Sequence, residues 1–203
     1  MAKRKMIIDA AIRHFAKHGY QDTRVEDIAL KLGIAKGSIF QHFGSKEGLF
    51  LECYKKAVRA LGTYMDLPAD VLEQGFFASV RYWLEWSERL SQDAMIAFRV
   101  SVIGEYGTSM TLKREVTRFL ETEDPYRVKD FIRMGIERGE LRDDVDPLLL
   151  NISLRWLVEC FQDAVVAEEL DPGLFHDSEG RRLEVKTHLE QYLQLLRGAL
   201  ARR

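Results

Sequence analysis

The sequence has little of what disulfide-bonded and zinc-binding proteins depend on. Only two of its 203 residues are cysteine, Cys53 and Cys160, and no C-x-x-C pattern links them. A disulfide framework or a structural zinc site needs more cysteines at defined spacings. We therefore expect both cysteines to be small apolar core residues, and we expect neither a metal nor a cofactor.

Long apolar stretches are also missing. No uninterrupted apolar run approaches the roughly 20 residues that a transmembrane helix requires. The chain begins Met-Ala-Lys-Arg-Lys, but an amphipathic segment with Asp9, Arg13 and Lys17 follows in place of an apolar signal core. The sequence therefore predicts a protein of the cytoplasm with no membrane partner.

The motifs of common catalytic sites are not found. The sequence has no nucleophile elbow, no glycine-rich phosphate loop and no H-E-x-x-H. His14 and His18 have the spacing of metal ligands on one helix, but no third ligand accompanies them. Asp143, Asp144 and Asp146 lack the spacing of a calcium loop. These absences argue against an enzyme.

Helical periodicity runs from end to end, and no stretch alternates as a half-buried strand would. With 46% apolar and 31% charged residues, the composition is that of a globular protein. The sequence predicts an all-α fold with a helix-turn-helix domain over residues 1–50 and a larger helical domain over 63–203. A fourth helix, about 46–62, connects them. The helices are expected at about 3–18, 23–31, 36–42, 46–61, 69–90, 93–106, 112–120, 125–138, 147–169 and 182–200.

The net charge of −2 conceals an uneven distribution. The first 50 residues carry nine basic and five acidic side chains, whereas the rest carries 21 basic and 27 acidic ones. A small basic head on an acidic body suits contact with phosphates at one end of the molecule. An uneven spread without functional meaning stays open on charge alone.

Two short helices joined by a tight turn are predicted in the basic head. Thr23 and Glu26 have the spacing of a capping box that would begin the first of them. Gly33 permits the positive φ of an interhelical turn. Ser45 is placed to cap the helix that leaves the head. This layout is typical of a helix-turn-helix.

The second of these short helices carries polar residues suited to reading base edges, while Ile39 and Phe43 would anchor it to the head. A reading helix needs hydrogen-bond groups that point into the major groove, and a glycine lets the backbone approach closely. The base-reading candidates are Lys36, Gly37, Ser38 and Gln41.

The run from Thr23 to Leu49, T-x-x-E-D-I-A-x-K-L-G-I-A-K-G-S-I-F-Q-H-F-G-S-K-E-G-L, resembles the DNA-binding domain of the TetR family of repressors. The resemblance extends over residues 3–60. Phe40 departs from it by replacing the usual tyrosine, and Ala35 stands where serine or threonine commonly caps the reading helix. The candidates for contact with the phosphate backbone are Thr23, Arg24, Phe40, His42 and Lys46.

The last two predicted helices resemble the pair that forms a four-helix dimer interface in this family. The helix over 147–169 is apolar on nearly every side, so it must be covered all round. The closing helix has leucines at spacings of four, three and four. This stripe is either a dimer seam or monomer core. The interface candidates are Leu154, Leu157, Phe161, Val165, Leu189, Leu193, Leu196 and Leu200.

The middle of the chain is rich in aromatic residues and methionine. These side chains either line an apolar ligand pocket or fill a solid core. Arg99, within an otherwise apolar helix, would suit an anionic or polar head group, or an ordinary salt bridge. The pocket candidates are Phe76, Trp83, Trp86, Met95, Phe98, Arg99, Tyr106, Met110 and Trp156.

By this resemblance, the chain is expected to be a homodimeric regulator of transcription that binds double-stranded operator DNA. It would be a repressor, released from a pseudo-palindromic operator by a small apolar or amphipathic effector. The alternative is an architectural or protein-interaction module that binds DNA without any effector. A solid interior would favour that alternative.

Overall fold

The chain is helical throughout the part that the structure describes. This computed structural model describes residues 2–64, 66–85, 92–106, 109–170 and 185–202. Over those ranges no strand forms, and a single antiparallel bridge joins Leu141 to Ala201. The all-α prediction is confirmed. None of the helices in these ranges has the length and hydropathy that a bilayer crossing demands.

Eleven α-helices lie within the described ranges of the chain. In chain order they are α1 (Ala2–Asp22), α2 (Val25–Lys31), α3 (Lys36–Phe43), α4 (Lys46–Gly62), α5 (Ala69–Glu73), α6 (Phe76–Leu84), α7 (Gln92–Tyr106), α8 (Met110–Glu123), α9 (Val128–Glu137), α10 (Pro147–Leu170) and α11 (Leu189–Leu200), with a 3₁₀ turn at Val185–His188 before α11.

The prediction of one helix over 69–90 is wrong, because the helix is interrupted at Gly75 and divides into α5 and α6. Gly75 has φ of 104°, a left-handed conformation that a side chain would strain. Its neighbour Phe76 donates its amide to the Glu140 carboxylate at 2.7 Å, so a distant glutamate satisfies the first turn of α6. A Cβ atom at Gly75 would lie 2.6 Å from that carboxylate.

The start predicted at Pro125 is also wrong. Asp124 does not cap the following helix; it ends α8 in a left-handed conformation with φ of 40°. Arg127 has φ of 55° as well, and α9 begins only at Val128. The matching prediction at Asp146 is confirmed, because its carboxylate accepts the Leu148 amide at 2.7 Å.

By their contacts, the helices form two compact units. Unit 1 comprises Met1–Tyr64 and Leu90–Pro125, so it contains α1–α4 together with α7 and α8. Unit 2 comprises Met65–Arg89 and Tyr126–Arg203.

Unit 1 is held together where α4 packs against α7 and α8. Tyr54 of α4 is fully buried, and its hydroxyl donates to Glu105 of α7 at 3.1 Å. Arg59 near the end of α4 makes a two-pronged ion pair with Glu123 of α8, at 2.9 and 2.7 Å. Cys53 is buried in the same helix, as predicted.

Unit 2 has a solid aromatic centre. The Phe76 and Phe131 rings stack with centroids 4.4 Å apart, and the Trp83 ring is tilted against Phe131 with centroids 4.3 Å apart. Phe76 and Trp83 are almost completely buried in this cluster. For these two residues the packing is that of core, which the sequence left open beside a pocket.

Most of the residues predicted to form the dimer interface face the core of unit 2, so they are not available on the surface of the chain. Five of the predicted interface residues are buried within the chain itself: Leu154, Phe161, Leu193, Leu196 and Leu200. Leu157 and Leu189 are partly buried against the same core, and the Val165 side chain lies outside the described residues. Among the described side chains of these helices, the large apolar ones that are exposed are Leu148, Leu149, Trp156 and Leu195. Cys160 is exposed as well, so its predicted core position is wrong.

The contact between α4 and α7 yields a stability prediction. A Cβ atom at Gly104 would clash with the Tyr54 ring, whereas one at Gly198 in α11 would meet no atom within 4 Å. We expect Gly104→Ala to lower the free energy of unfolding by about 2 kcal/mol through overpacking. Gly198→Ala should raise it by up to about 1 kcal/mol, because alanine favours the helix. Urea unfolding of both variants tests this, and equal stabilities would contradict it.

Candidate nucleic-acid interface

Helix α3 is fixed to unit 1 by one face and exposed on the other. Ile39 is fully buried, and Phe43 is partly buried beside it. Lys36, Gly37 and Gln41 are exposed, and Ser38 is half-buried. The four base-reading candidates therefore remain accessible on a helix whose buried side holds it in place.

The turn before α3 depends on Gly33. This residue has φ of 63°, and its amide donates to the Leu30 carbonyl at 3.1 Å. The next amide, that of Ile34, donates back to Ala29 at 3.0 Å. The turn thereby satisfies the last carbonyls of α2 and reverses the chain at the point that the sequence predicts.

A second glycine sets the position of the other end of α3. Gly48 lies in the first turn of α4, and a Cβ atom there would come closer to the Phe43 carbonyl oxygen than any real Cβ approaches. Ser45 caps the same turn by accepting the Gly48 amide at 3.0 Å, as the sequence predicts. The close approach of these two backbones aligns α3 with α4. Sequence reasoning noted Gly48 within the motif but had no signal for its role.

The first turn of α3 is held by an ion pair in place of a cap. Ala35 contributes no side-chain hydrogen bond, in keeping with its departure from the family pattern. The Lys36 ammonium donates to the Glu26 carboxylate of α2 and lies 5.3 Å from the centre of the Phe40 ring. This contact with Lys36 holds the pKa of Glu26 below its usual value. A base-reading candidate is thus already paired within the chain.

The capping box predicted at Thr23 and Glu26 does not form. Thr23 is only 2% exposed, and its hydroxyl donates to the Gly19 carbonyl at 2.7 Å. Arg24 stands at the cap position of α2 without a side-chain cap. Gly19, with φ of 72°, breaks α1 and leaves carbonyls that need donors, so the Thr23 hydroxyl serves the end of α1. Its hydroxyl is directed into the fold, away from solvent.

Lys46 is anchored beside the end of α1. Its ammonium donates to the Gln21 carbonyl at 3.0 Å and lies 4.7 Å from the centre of the Tyr20 ring. Tyr20 in turn bonds Glu47: its burial and this carboxylate raise the pKa of the phenol, while backbone and phenol hydrogen bonds lower the pKa of Glu47. Lys46 therefore presents its charge from a defined position.

Two of the remaining phosphate candidates, Phe40 and His42, lie on α3 itself, and Arg24 directly precedes α2. Arg24 and His42 are exposed, and Phe40 is half-buried beneath the Lys36 ammonium. Tyr20 and Glu26, which position Lys46 and Lys36, were missed as site residues because their partners are distant in sequence.

The pocket candidates do not come together as a described cavity. Met95, Phe98, Arg99 and Met110 belong to unit 1, and Met110 is exposed. Besides the core residues Phe76 and Trp83, unit 2 contains Trp156, which is exposed. Trp86 and the side chain of Tyr106 lie outside the described residues.

A protein-family model matches the N-terminal part of the chain, which contains this interface. Residues 7–53 match the model for bacterial regulatory proteins of the tetR family. The match includes all of α2 and α3 and the adjoining parts of α1 and α4. It therefore coincides with the surface described above.

Longer relatives extend the likeness to the rest of the chain. The chain is 26% identical over 184 residues to the transcriptional repressor AcnR of Corynebacterium glutamicum, which covers 84% of this chain and 86% of the relative. A TetR-family regulator from a Shewanella species has a TM-score of 0.67 at 19% identity and covers 99% of both chains. The regulator FadR of Bacillus subtilis, solved with stearoyl-CoA, has a TM-score of 0.66 at 18% identity over 95% of this chain and 96% of its own.

Gly48 and Gly37 are expected to have different roles, the first in the stability of the fold and the second in DNA binding. Gly48→Ala forces the α3 and α4 backbones apart, so it should lower the free energy of unfolding by about 3 kcal/mol. Gly37→Ala meets no atom within 4 Å and should leave the fold as stable or more so. It should nevertheless weaken DNA binding about tenfold, because its new methyl group would occupy the space of a base edge.

Thermal unfolding and titration of labelled DNA separate the two effects. Gly198→Ala serves as the control for adding a methyl group to an exposed helix. A Gly37→Ala protein that binds DNA as tightly as the parent would show that α3 does not enter the groove by this face.

Proposed function

Because the chain belongs to the TetR family of bacterial transcriptional regulators, we propose that it is a homodimeric repressor. It binds a pseudo-palindromic operator in the cytoplasm and leaves that operator when a small molecule binds. The observation that carries the proposal is α3, which is anchored by Ile39 and exposes Gly37 and Gln41 next to anchored cations.

Base recognition falls to the exposed side of α3. Gln41 can donate and accept at an adenine edge, and Lys36 can donate to guanine once it leaves Glu26. Gly37 lets the backbone come close to the groove, and Ser38 adds a hydroxyl. Phe40 lacks the hydroxyl of tyrosine, so it supplies apolar contact only.

Phosphate contacts fix the register of the head on the duplex. The cationic or polar candidates for this task are Arg24 before α2, His42 on α3 itself and Lys46 at the start of α4. Thr23 acts differently in the proposal: its buried hydroxyl holds the end of α1, so its side chain stabilises the head and makes no direct phosphate contact.

Dimerisation is proposed through the outer faces of α10 and α11. Leu148, Leu149, Trp156 and Leu195 are exposed there, and Trp156 has 60% of its surface accessible. Large apolar side chains left exposed on two helices are expected where a partner covers them. A second copy would cover them and set two reading helices about 34–36 Å apart, which matches successive major grooves.

The effector is proposed to be apolar or amphipathic. A protein of similar fold, the regulator FadR of Bacillus subtilis, was solved with the amphipathic molecule stearoyl-CoA. Release requires the effector to bind one of two states of the dimer more tightly than the other.

A second candidate is a DNA-binding architectural or protein-interaction module. The close stacking of Phe76, Trp83 and Phe131 favours it, because this part of the interior is filled by the chain's own rings. Such a module would bind DNA without responding to any small molecule.

Selection of bound duplexes from a random DNA pool, at near-physiological salt, tests the proposal. A palindrome with half-sites about one turn apart supports the dimeric regulator. Uniform binding of all sequences would reject it and favour the architectural module.

The two kinds of DNA contact should respond differently to alanine. Gln41→Ala should relax the preference at one base position and cost about 1–3 kcal/mol on the best operator. Lys46→Ala should weaken binding to all sequences and reduce the slope of affinity against salt by about one. Titrations on the selected operator and on random DNA at several salt concentrations measure both. Equal behaviour of the two variants would contradict this assignment.

The outer face of α10 should control oligomeric state. Trp156→Glu puts a charge into the proposed seam, and the cost of burying it should yield monomers that bind a full operator poorly. Leu30→Glu is the matched control, because Leu30 is 82% exposed on α2 in the head. Sedimentation of both variants decides the point, and a Trp156→Glu protein that stays dimeric would rule out this surface.

A further inference from the structure

Unit 2 contains a cavity that the proposed DNA contacts do not use. It lies between α5 and α6 on one side and α11 on the other, and its volume is about 560 Å³. Cavities that bind small molecules commonly have volumes of about 300–1,000 Å³. Among the described residues, none of the sequence-predicted pocket candidates lines it.

The carboxylates of the cavity wall share one partner. Arg81 of α6 donates to Glu190 of α11 at 2.6 Å, and its guanidinium lies 3.5 Å from Glu85. The contact with Arg81 holds the pKa of Glu190 below its usual value. Both acidic side chains of the wall are therefore engaged with Arg81.

A second guanidinium in the wall is stacked on a ring. The guanidinium carbon of Arg197 lies 4.5 Å from the centre of the Phe77 ring. Among the described ion pairs, none joins Arg197 to a carboxylate. A ring that holds the guanidinium by its face leaves the edge, with its row of N–H donors, to bind a planar anion.

Apolar surface adjoins this cation. Phe77 and Leu193 are buried side chains that line the cavity, and Leu193 lies on α11 between Glu190 and Arg197. Phe77 opposes Arg197 while Arg81 opposes Glu190, so α6 and α11 run antiparallel along the cavity. One end is therefore cationic, and the wall next to it is apolar.

We propose that this cavity binds an amphipathic monocarboxylate. The carboxylate pairs with the edge of Arg197 in a two-pronged contact, and the apolar body lies against Phe77 and Leu193. The proposed repressor function requires an effector but does not say where it binds. This cavity is the binding site that we assign to it.

The test compares three amphiphiles that share a twelve-carbon chain. Dodecanoate, dodecyltrimethylammonium and dodecanol are titrated below micelle formation into the full-length protein, and binding is followed by calorimetry. Dodecanoate should bind at one site per chain and at least about tenfold more tightly than the other two, because only it can pair with a guanidinium.

Three variants locate the binding. Arg197→Met removes the charge and keeps an apolar stem. It should weaken the binding of dodecanoate at least about tenfold and leave the affinity for dodecanol unchanged. Arg133→Met is the control, since Arg133 is an exposed arginine of α9 that pairs with Asp130 at 2.7 Å outside the cavity. Ala78→Phe fills the cavity and should abolish binding of all three amphiphiles. Unfolding curves establish that each variant is folded.

The proposal would be overturned if Arg197→Met and Arg133→Met reduced the affinity for dodecanoate equally. It would also be overturned if the parent protein bound dodecanoate and dodecyltrimethylammonium with equal affinity. Operator binding, measured on the same samples without amphiphile, keeps the two ideas separate. Intact operator binding with no binding of dodecanoate rejects the cavity site alone. Binding of dodecanoate by a protein that does not distinguish DNA sequences rejects the repressor alone.

Discussion

The orientation of the reading helix depends on one close approach of two backbones. Gly48, in the first turn of α4, lies against the carbonyl of Phe43, the last residue of α3, at a distance that leaves no space for a side chain. Gly44 turns the chain between them, and Ser45 caps the helix that follows. With eight residues and no side-chain cap, α3 is too short to be stable alone. Its position therefore comes from this junction and from buried Ile39.

The head could be predicted from sequence because local signals define most of it. Gly33 and Ser45 act where the pattern puts them, since a positive φ and a side-chain cap depend only on neighbouring residues. The capping box predicted at Thr23 was wrong because the partner of this side chain is not set by its immediate neighbours. Its hydroxyl had two possible partners, and the break at Gly19 exposes carbonyls that take it away from α2. A motif fixes which groups are available, whereas the fold decides which of them meet.

The C-terminal half was harder to predict because periodicity shows that a face is buried but not what buries it. Leu193 and Leu196 have the spacing of a dimer seam and instead complete the core of unit 2. On α10, which is apolar nearly all round, one side packs inward and Trp156 is left outside. The break at Gly75 depends on Glu140, 65 positions along the chain, which no local signal reveals.

The pairing of Lys36 with Glu26 bears on how such a head distinguishes sequences. An exposed ion pair adds little stability, so Lys36 can exchange Glu26 for a guanine edge at small cost. While the pair is intact, the Glu26 carboxylate cancels most of the attraction of Lys36 to phosphates, so Lys36 would leave Glu26 only where a base acceptor replaces it. On other sequences Lys36 stays paired and contributes little net attraction. An acidic residue beside the reading helix would therefore weaken non-specific binding more than operator binding, which raises selectivity without any added contact.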